Sequence, residues 1–441
     1  MPSSTTRRHE HRTMSDLTIY NDAFQADPAE PAWLAERRRS ALARFGELGL
    51  PTRRQENWRF TNLRALETTA YPPAAGDPAI DEPAPDPYRL AGASHRIVLV
   101  NGRFSPTLSA IGALRSGIWL GPLSAALRER TDLVDALFDG SDAVASQPFA
   151  ALNAAFAGDG FVLAVDDGVE LDHPVEIIHL GRADTPLSAH ARNAVFAGKY
   201  SRIDVIESHA GSGPYWRNLV TTVALGAGAS LRHVTLQDDG LEAINTALSR
   251  VTLAAGARYD AFTLTLGALL SRADTIVSIA GPRAHCGVSG AYLLRGRQEA
   301  TVATLIDHAA PGSETREVFK GVVDDRAHGV FQGKIQVRRE AQQTNAHQLN
   351  KNLLLSARAA VDSKPELEIF ADDVKCSHGA TVGDLDETAM FYLRARGIPE
   401  AEARRMLIEA FAAEAIELVE DASVQTYLRR HLDNWLANPK G

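Results

Sequence analysis

Cys376 and His378 stand two residues apart, with Asp373 and Lys375 beside them. In a strand, residues i and i+2 point to the same side, so a thiol and an imidazole would share one face. With Asp373 they offer mixed sulfur, nitrogen and oxygen ligation, suited to iron or zinc. Lys375, and His378 when protonated, are expected to lower the thiol pKa. The only other cysteine is Cys286. Iron–sulfur clusters are usually held by four thiolates. Two cannot close such a site, so a cluster here needs histidine or carboxylate ligands, or ligands from a second chain. Two cysteines also cannot build a disulfide framework, which points to a reducing, cytoplasmic setting.

Other chemistry is missing. The nearest approach to a phosphate loop, Gly329 to Ile335, has its glycines too close and no Ser or Thr hydroxyl after Lys334. Gly287-Val288-Ser289-Gly290 lacks the pattern of a nucleophile elbow. Gly158-Asp159-Gly160 lacks the third glycine of a dinucleotide fingerprint, and no His-Glu-x-x-His or Cys-x-x-Cys occurs. No self-contained catalytic motif is present, and the chain is expected to bind no nucleotide and not to be an enzyme. Cys286 reads as a core thiol, and His308, His328 and His347 as turn or ladder residues. Asp324-Asp325 reads as a solvated turn, and Trp216 and Trp435 as packing residues.

The elements that must position Cys376 and His378 follow from hydrophobic periodicity. Between Gly160 and Gly383 no long amphipathic helix is evident, and period-two runs replace it: Phe331, Ile335 and Val337 alternate with Gln332, Lys334 and Gln336. These short strands recur every ~11–17 residues between Gly, Asp and Ser turns, as all-β folds require. The run Leu225-Gly226-Ala227-Gly228-Ala229-Ser230-Leu231 is echoed by Leu253-Ala254-Ala255-Gly256-Ala257-Arg258-Tyr259. A repeated turn plus strand suggests stacked coils, although a sandwich or barrel is equally permitted by the pattern. Asn345, Gln348, Asn350 and Asn352 could form amide ladders between stacked strands.

Both ends look helical. Residues 16–70 carry apolar spacings of three and four, with Trp58 and Phe60 as core candidates. Residues 71–88 contain six prolines and read as an extended linker. Asp386 is placed to cap a helix that Gly397 stops, and Pro399 opens a longer one. The expected division is a disordered tail over 1–15, a helical N-terminal domain with its linker over 16–148, a strand-rich core over 149–383 and a helical C-terminal domain over 384–441. Met14 is an alternative start. With 45% hydrophobic and 23% charged residues the 441-residue chain is globular. A net charge of −9 argues against non-specific nucleic-acid binding. No apolar run reaches the ~18 residues of a membrane span.

Several stretches together resemble the SufB/SufD family of iron–sulfur cluster assembly proteins. They are Lys364-Pro365-Glu366-Leu367-Glu368-Ile369, residues 375–383 (KCSHGATVG), residues 345–355 (NAHQLNKNLLL), residues 391–398 (FYLRARGI) and residues 149–161. Residues 56–61 (ENWRFT) resemble the SufD branch rather than SufB. The resemblance implies a right-handed parallel β-helix flanked by helical domains. It also implies pairing with SufB through the β-helices and binding of the ATPase SufC through the C-terminal helices. Phe391, Tyr392, Leu393, Arg394 and Gly397 are then the candidate ATPase contact. Cys376 and His378 become candidate ligands, at the SufB interface, for iron or a nascent cluster shared with SufB. The alternatives are a SufB-type paralogue and, from another class, a stand-alone β-solenoid enzyme acting on polysaccharide.

Overall fold

The computed structural model describes residues 18–25, 30–75, 88–90, 92–138 and 147–438. The expected tail over 1–15, the question of Met14 and most of the proline-rich stretch lie outside the described residues. The remaining chain is mainly β, built on a parallel solenoid of about eight coils with helices at both ends.

Strands β1 (His95–Val100), β2 (Arg103–Phe104), β3 (Ala110–Ile111) and β4 (Ile118–Pro122) precede the regular coils. From β5 (Phe161–Val165) and β6 (Val175–Arg182) to β19 (Ala360–Ile369) and β20 (Lys375–Gly383), odd strands stack in one sheet and even strands in the other. Each coil advances 26 to 32 residues, as from Ile244 to its register partner Leu270 or from His328 to Ala360. The sheet begins earlier than the expected boundary at 149, because β1 pairs in parallel with β6, Ile97 lying beside Ile177. Antiparallel β2 and β3 pair with β1, and antiparallel β4 with β5.

The repeat seen in the sequence is a corner of the coil. Gly228 and Gly256 take left-handed φ values of 68° and 66° at equivalent corners, and each donates its amide to the next corner, Gly228 to Ala255 and Gly256 to Pro282. Tyr200, Arg283 and Gln343 occupy the same conformation at other corners and make the same kind of bond. A left-handed backbone is cheap for glycine and costs other residues, so the corner is conserved in geometry while its residue type varies.

Alternation then sorts the strands. One face of each sheet fills the lumen, where Ile177, Val205, Leu231, Tyr259 and Cys286 belong to one buried cluster. The outer faces are covered by helices. At the N-terminal side, α1 (18–23), α2 (Ala32–Leu48) and α3 (Arg64–Thr68) gather around Trp58, whose ring meets Phe149 edge-on at 5.2 Å; Phe149 in turn meets Trp216 at 5.0 Å. Trp58 is buried and Phe60 only half-buried. The helix-like stretch 123–138 is two short helices, α4 (Leu123–Glu129) and α5 (Thr131–Leu137), and α6 (Pro148–Phe156) leads into the coils.

At the C-terminal side come α7 (Glu387–Ala395), α8 (Glu400–Ile416) and α9 (Ala422–Ala437). Asp386 caps α7 as its position suggested, accepting from the amides of Thr388 and Ala389. Asp421 caps α9 in the same way, accepting from the amides of Ser423 and Val424. Helices α8 and α9 lay Ile408, Ile416, Leu428 and Leu432 over Val234, Phe262, Leu264 and Leu293 on the outer face of the even sheet. Leu428 is fully buried, so Leu428→Ala should cost about 2–5 kcal/mol in chemical denaturation. A cost below ~1 kcal/mol would mean that α9 is not part of the folded core. Among the described residues no helix is long and apolar enough to cross a membrane.

Candidate functional site

The two sheets end in β19 and β20, each hydrogen-bonded to one neighbour only. Among the described residues no further strand or helix covers this end. Phe370 is 56% exposed and Val382 48%, with Ile369 also exposed. Long uncovered edges present unpaired N–H and C=O groups and invite pairing with another chain.

Cys376 and His378 lie on β20, and the expectation that they share a face holds. Cys376 is in register with Ala346 on β18 (Asn345–Leu354), and His378 with Gln348. Ala346 and Gln348 are both buried in the lumen, so Cys376 and His378 belong to lumenal rows. Cys376 is half-buried and packs against the lumenal cluster, whereas His378 is exposed because the stack stops there. Ser377, of opposite parity, accepts or donates a 2.7 Å bond with His347 Nδ1 on the outside.

Two expectations are corrected. Burial pushes the Cys376 thiol up, only a backbone hydrogen bond from Ala346 opposes it, and neither Lys375 nor His378 lowers it. The reason is parity: Lys375 points to the opposite face from the thiol. The thiol is therefore protonated at neutral pH. Asp373 sits in an exposed corner, its carbonyl accepting from the Gln343 amide at 2.6 Å. It does not converge with Cys376 and His378 into a three-ligand group among the described residues. Two ligands are on offer at the open end, and any others must come from elsewhere.

The rows below the open end are polar. Gln348 donates to Glu317 at 2.6 Å, Asn352 to Asn350 at 2.8 Å and Ser363 to Asn350 at 2.8 Å, while Tyr292 donates to Asn352. These amides do not stack on like amides in adjacent coils, so the expected ladder is instead a network tying both sheets together. The other singled-out residues take structural places. Cys286 is fully buried, its thiol pushed well up by burial. His308 is a lumenal ring bonded to Thr315 at 2.9 Å, His328 pairs with Asp362 at 2.8 Å, and Asp324-Asp325 is a turn. Trp216 is buried and bonds Thr246 at 2.9 Å.

The candidate ATPase contact is a surface. Helix α7 has no buried residue, and Phe391 is 74% and Tyr392 56% exposed. Arg396 stacks over the Tyr392 ring at 3.5 Å, Arg394 pairs with Glu400 at 3.4 Å, Leu393 is half-buried, and Gly397 ends the helix with φ 83°. Phe391 and Tyr392 thus leave exposed apolar surface on a helix with no buried residue.

One cluster was not legible in the sequence. In the lumen of the N-terminal half, Glu207 and His209 lie on β8 (Arg202–Ser212), His179 on β6 and His233 on β10 (Ser230–Asp239), all four buried. His209 Nε2 donates to Glu207 at 2.7 Å and His233 Nε2 lies 3.0 Å from its second oxygen. Burial alone would raise the Glu207 carboxyl, but hydrogen bonds from the imidazoles outweigh it and hold it well below the usual range. Next to it Arg217 pairs with Asp239. The members are separated by one coil in sequence, as His179 and His209 are, and without the coil length nothing links them.

Comparison with known proteins agrees with this architecture. Residues 179–411 match the SufBD core domain of the SUF system for FeS cluster assembly, and residues 17–177 match the SufBD protein N-terminal region. An iron–sulfur cluster assembly SufBD family protein of Synechocystis is 32% identical over 97% of this chain and 96% of its own length. The iron–sulfur cluster assembly protein SufD of Escherichia coli is 29% identical, covering 93% of this chain and 94% of its own. SufD of Bacillus subtilis is 28% identical over 90% of this chain and 92% of its own.

Proposed function

The chain belongs to the SufBD family of iron–sulfur cluster assembly proteins, and from that membership we propose that it is the SufD-type scaffold subunit of a SufBCD complex. It pairs with SufB through the open end of the solenoid and with the ATPase SufC through α7 and its neighbours. Iron, or a nascent cluster, is its cargo. The observation that carries this reading is the uncovered end itself. Of two bare strand edges, β20 carries a thiol and an imidazole on lumenal rows, two ligands of a larger set. A second solenoid docked there would extend the sheets and complete the ligand set.

The division of labour follows from the chemistry present. Cys376 offers a soft ligand that binds as thiolate once metal arrives, and His378 a borderline nitrogen that accepts Fe(II). The chain has no phosphate loop, so hydrolysis falls to the ATPase and this subunit acts as a non-catalytic scaffold. Its two free cysteines suit a reducing compartment, the cytoplasm.

The test is co-expression with SufB and SufC of the same organism. The three chains should co-purify, with iron present. Phe391→Asp should abolish co-purification with SufC and leave SufB bound. Because Phe391 is 74% exposed, the melting temperature of the isolated protein should hardly move. Undiminished SufC binding would remove α7 from the interface.

A further inference from the structure

We propose that the lumen holds a second, enclosed metal site, in which His179, Glu207 and His209 bind one divalent first-row transition ion. This does not rest on the reading of the open end, which lies several coils away.

The geometry is that of a ligand set. One ligand atom from each of the three residues lies within 4.8 Å of the others, and all three side chains are buried. Two imidazoles and one carboxylate are the donor set that suits Fe(II) and its neighbours while leaving positions open. His179 supplies the second observation. Its Nε2 is buried 3.2 Å from Glu207 Oε1, yet is not aligned for a hydrogen bond and has no other partner. A buried polar atom without a partner is costly in a fold that satisfies nearly all of them. An ion between these atoms would satisfy it.

The surroundings fit as well. A cavity of ≈ 60 Å³ opens beside Glu207 and His209, lined by the hydroxyls of Thr221, Thr235, Ser249 and Thr263. That is room for a few water molecules, enough for the positions that three protein ligands leave open. His233 holds the second Glu207 oxygen and so orients the carboxylate, the role of an outer partner in metal sites.

Binding requires one rearrangement. Asn245 Nδ2 donates to His209 Nδ1 at 3.0 Å, which puts that ring's proton on Nε2, facing Glu207. When the ion takes Nε2 the proton moves to Nδ1, and Asn245 turns its amide oxygen toward the ring. Asp239 loses one donor but keeps Gln237 at 2.8 Å, Arg217 and Tyr215.

The test uses the full chain carrying Cys376→Ala and His378→Ala, which removes the open-end donors. Co(II) is added without oxygen, both to the folded protein and during refolding, because the site is enclosed. One equivalent should bind, with ligand-field absorption typical of nitrogen and oxygen ligands and a rise in melting temperature. Glu207→Gln in that background should weaken binding at least ~10-fold. His179→Phe keeps a ring and removes both ring nitrogens, of which Nε2 makes no aligned hydrogen bond, so the metal-free melting temperature should fall at most slightly while Co(II) binding is lost. That second variant keeps the test valid if Glu207→Gln fails to fold. Absence of stoichiometric Co(II) binding by either route, or binding unchanged in His179→Phe, overturns the proposal.

Discussion

His378→Ala should lower the iron carried by the assembled complex about tenfold, the low end of what removing one group around a metal costs, with subunit stoichiometry unchanged. The ring sits on the last strand and is exposed. Its loss should therefore leave the melting temperature of the isolated chain within error. Cys376→Ala should have the smaller effect on iron, because the proposed pairing lets a second chain contribute thiolates. Cys376 is half-buried against the lumenal cluster, so that variant also carries a modest packing loss. Iron per complex and melting temperature must be read on the same samples. Normal iron loading in His378→Ala would remove His378 from the site. A matched fall in iron and stability would make it a packing residue.

Acidification should destabilise the fold well before the carboxylates at the surface are protonated. Burial pushes His190 down to about 3 and His308 to about 4, from an ordinary 6.5. In the unfolded chain both take up protons below pH 6.5, while in the folded chain they stay neutral. Stability from these groups is therefore full above 6.5 and is lost as pH falls toward their folded values. Glu317 acts the other way. Burial raises it to about 7 from 4.5, so between those values the folded chain holds a proton that the unfolded chain has lost. Two histidines against one glutamate leave a net of one proton between pH 6.5 and 4.5. That is about 1.4 kcal/mol per pH unit, or about 3 kcal/mol over the window. His179, lowered by burial to about 4, adds in the same direction. Denaturant titrations across this window should show the loss, and Glu317→Gln should steepen it. Stability that is flat or rises on acidification would mean that these rings are hydrated in the folded protein.

Much of this architecture could be read from sequence because it depends on local rules. Period-two alternation marked the strands, and the spacing of two put Cys376 and His378 on one face. Asp386 followed by an apolar-periodic run gave the cap of α7. The features that escaped depend on the coil length. Glycine marks the corner at Gly168, Gly228, Gly256 and Gly312, but Tyr200, Arg283 and Gln343 adopt the same left-handed conformation without being glycine, which breaks the visible repeat. With the period hidden, β1 looked separate from the core although it pairs with β6. The grouping of His179, Glu207, His209 and His233 was hidden for the same reason. The expected activation of Cys376 by Lys375 failed on parity: neighbours in a strand face opposite sides, and nearness in sequence is not nearness in charge.

The central claim is that the uncovered end of the solenoid is where SufB docks. A photo-crosslinking residue placed at Phe370 or Val382, both exposed on that end, tests it in the co-expressed complex, with the exposed Tyr200 at a corner several coils away as the control. Capture of SufB from Phe370 and Val382 and not from Tyr200 is the predicted result. Capture from Tyr200 alone, or from none of the three in an intact complex, would contradict it.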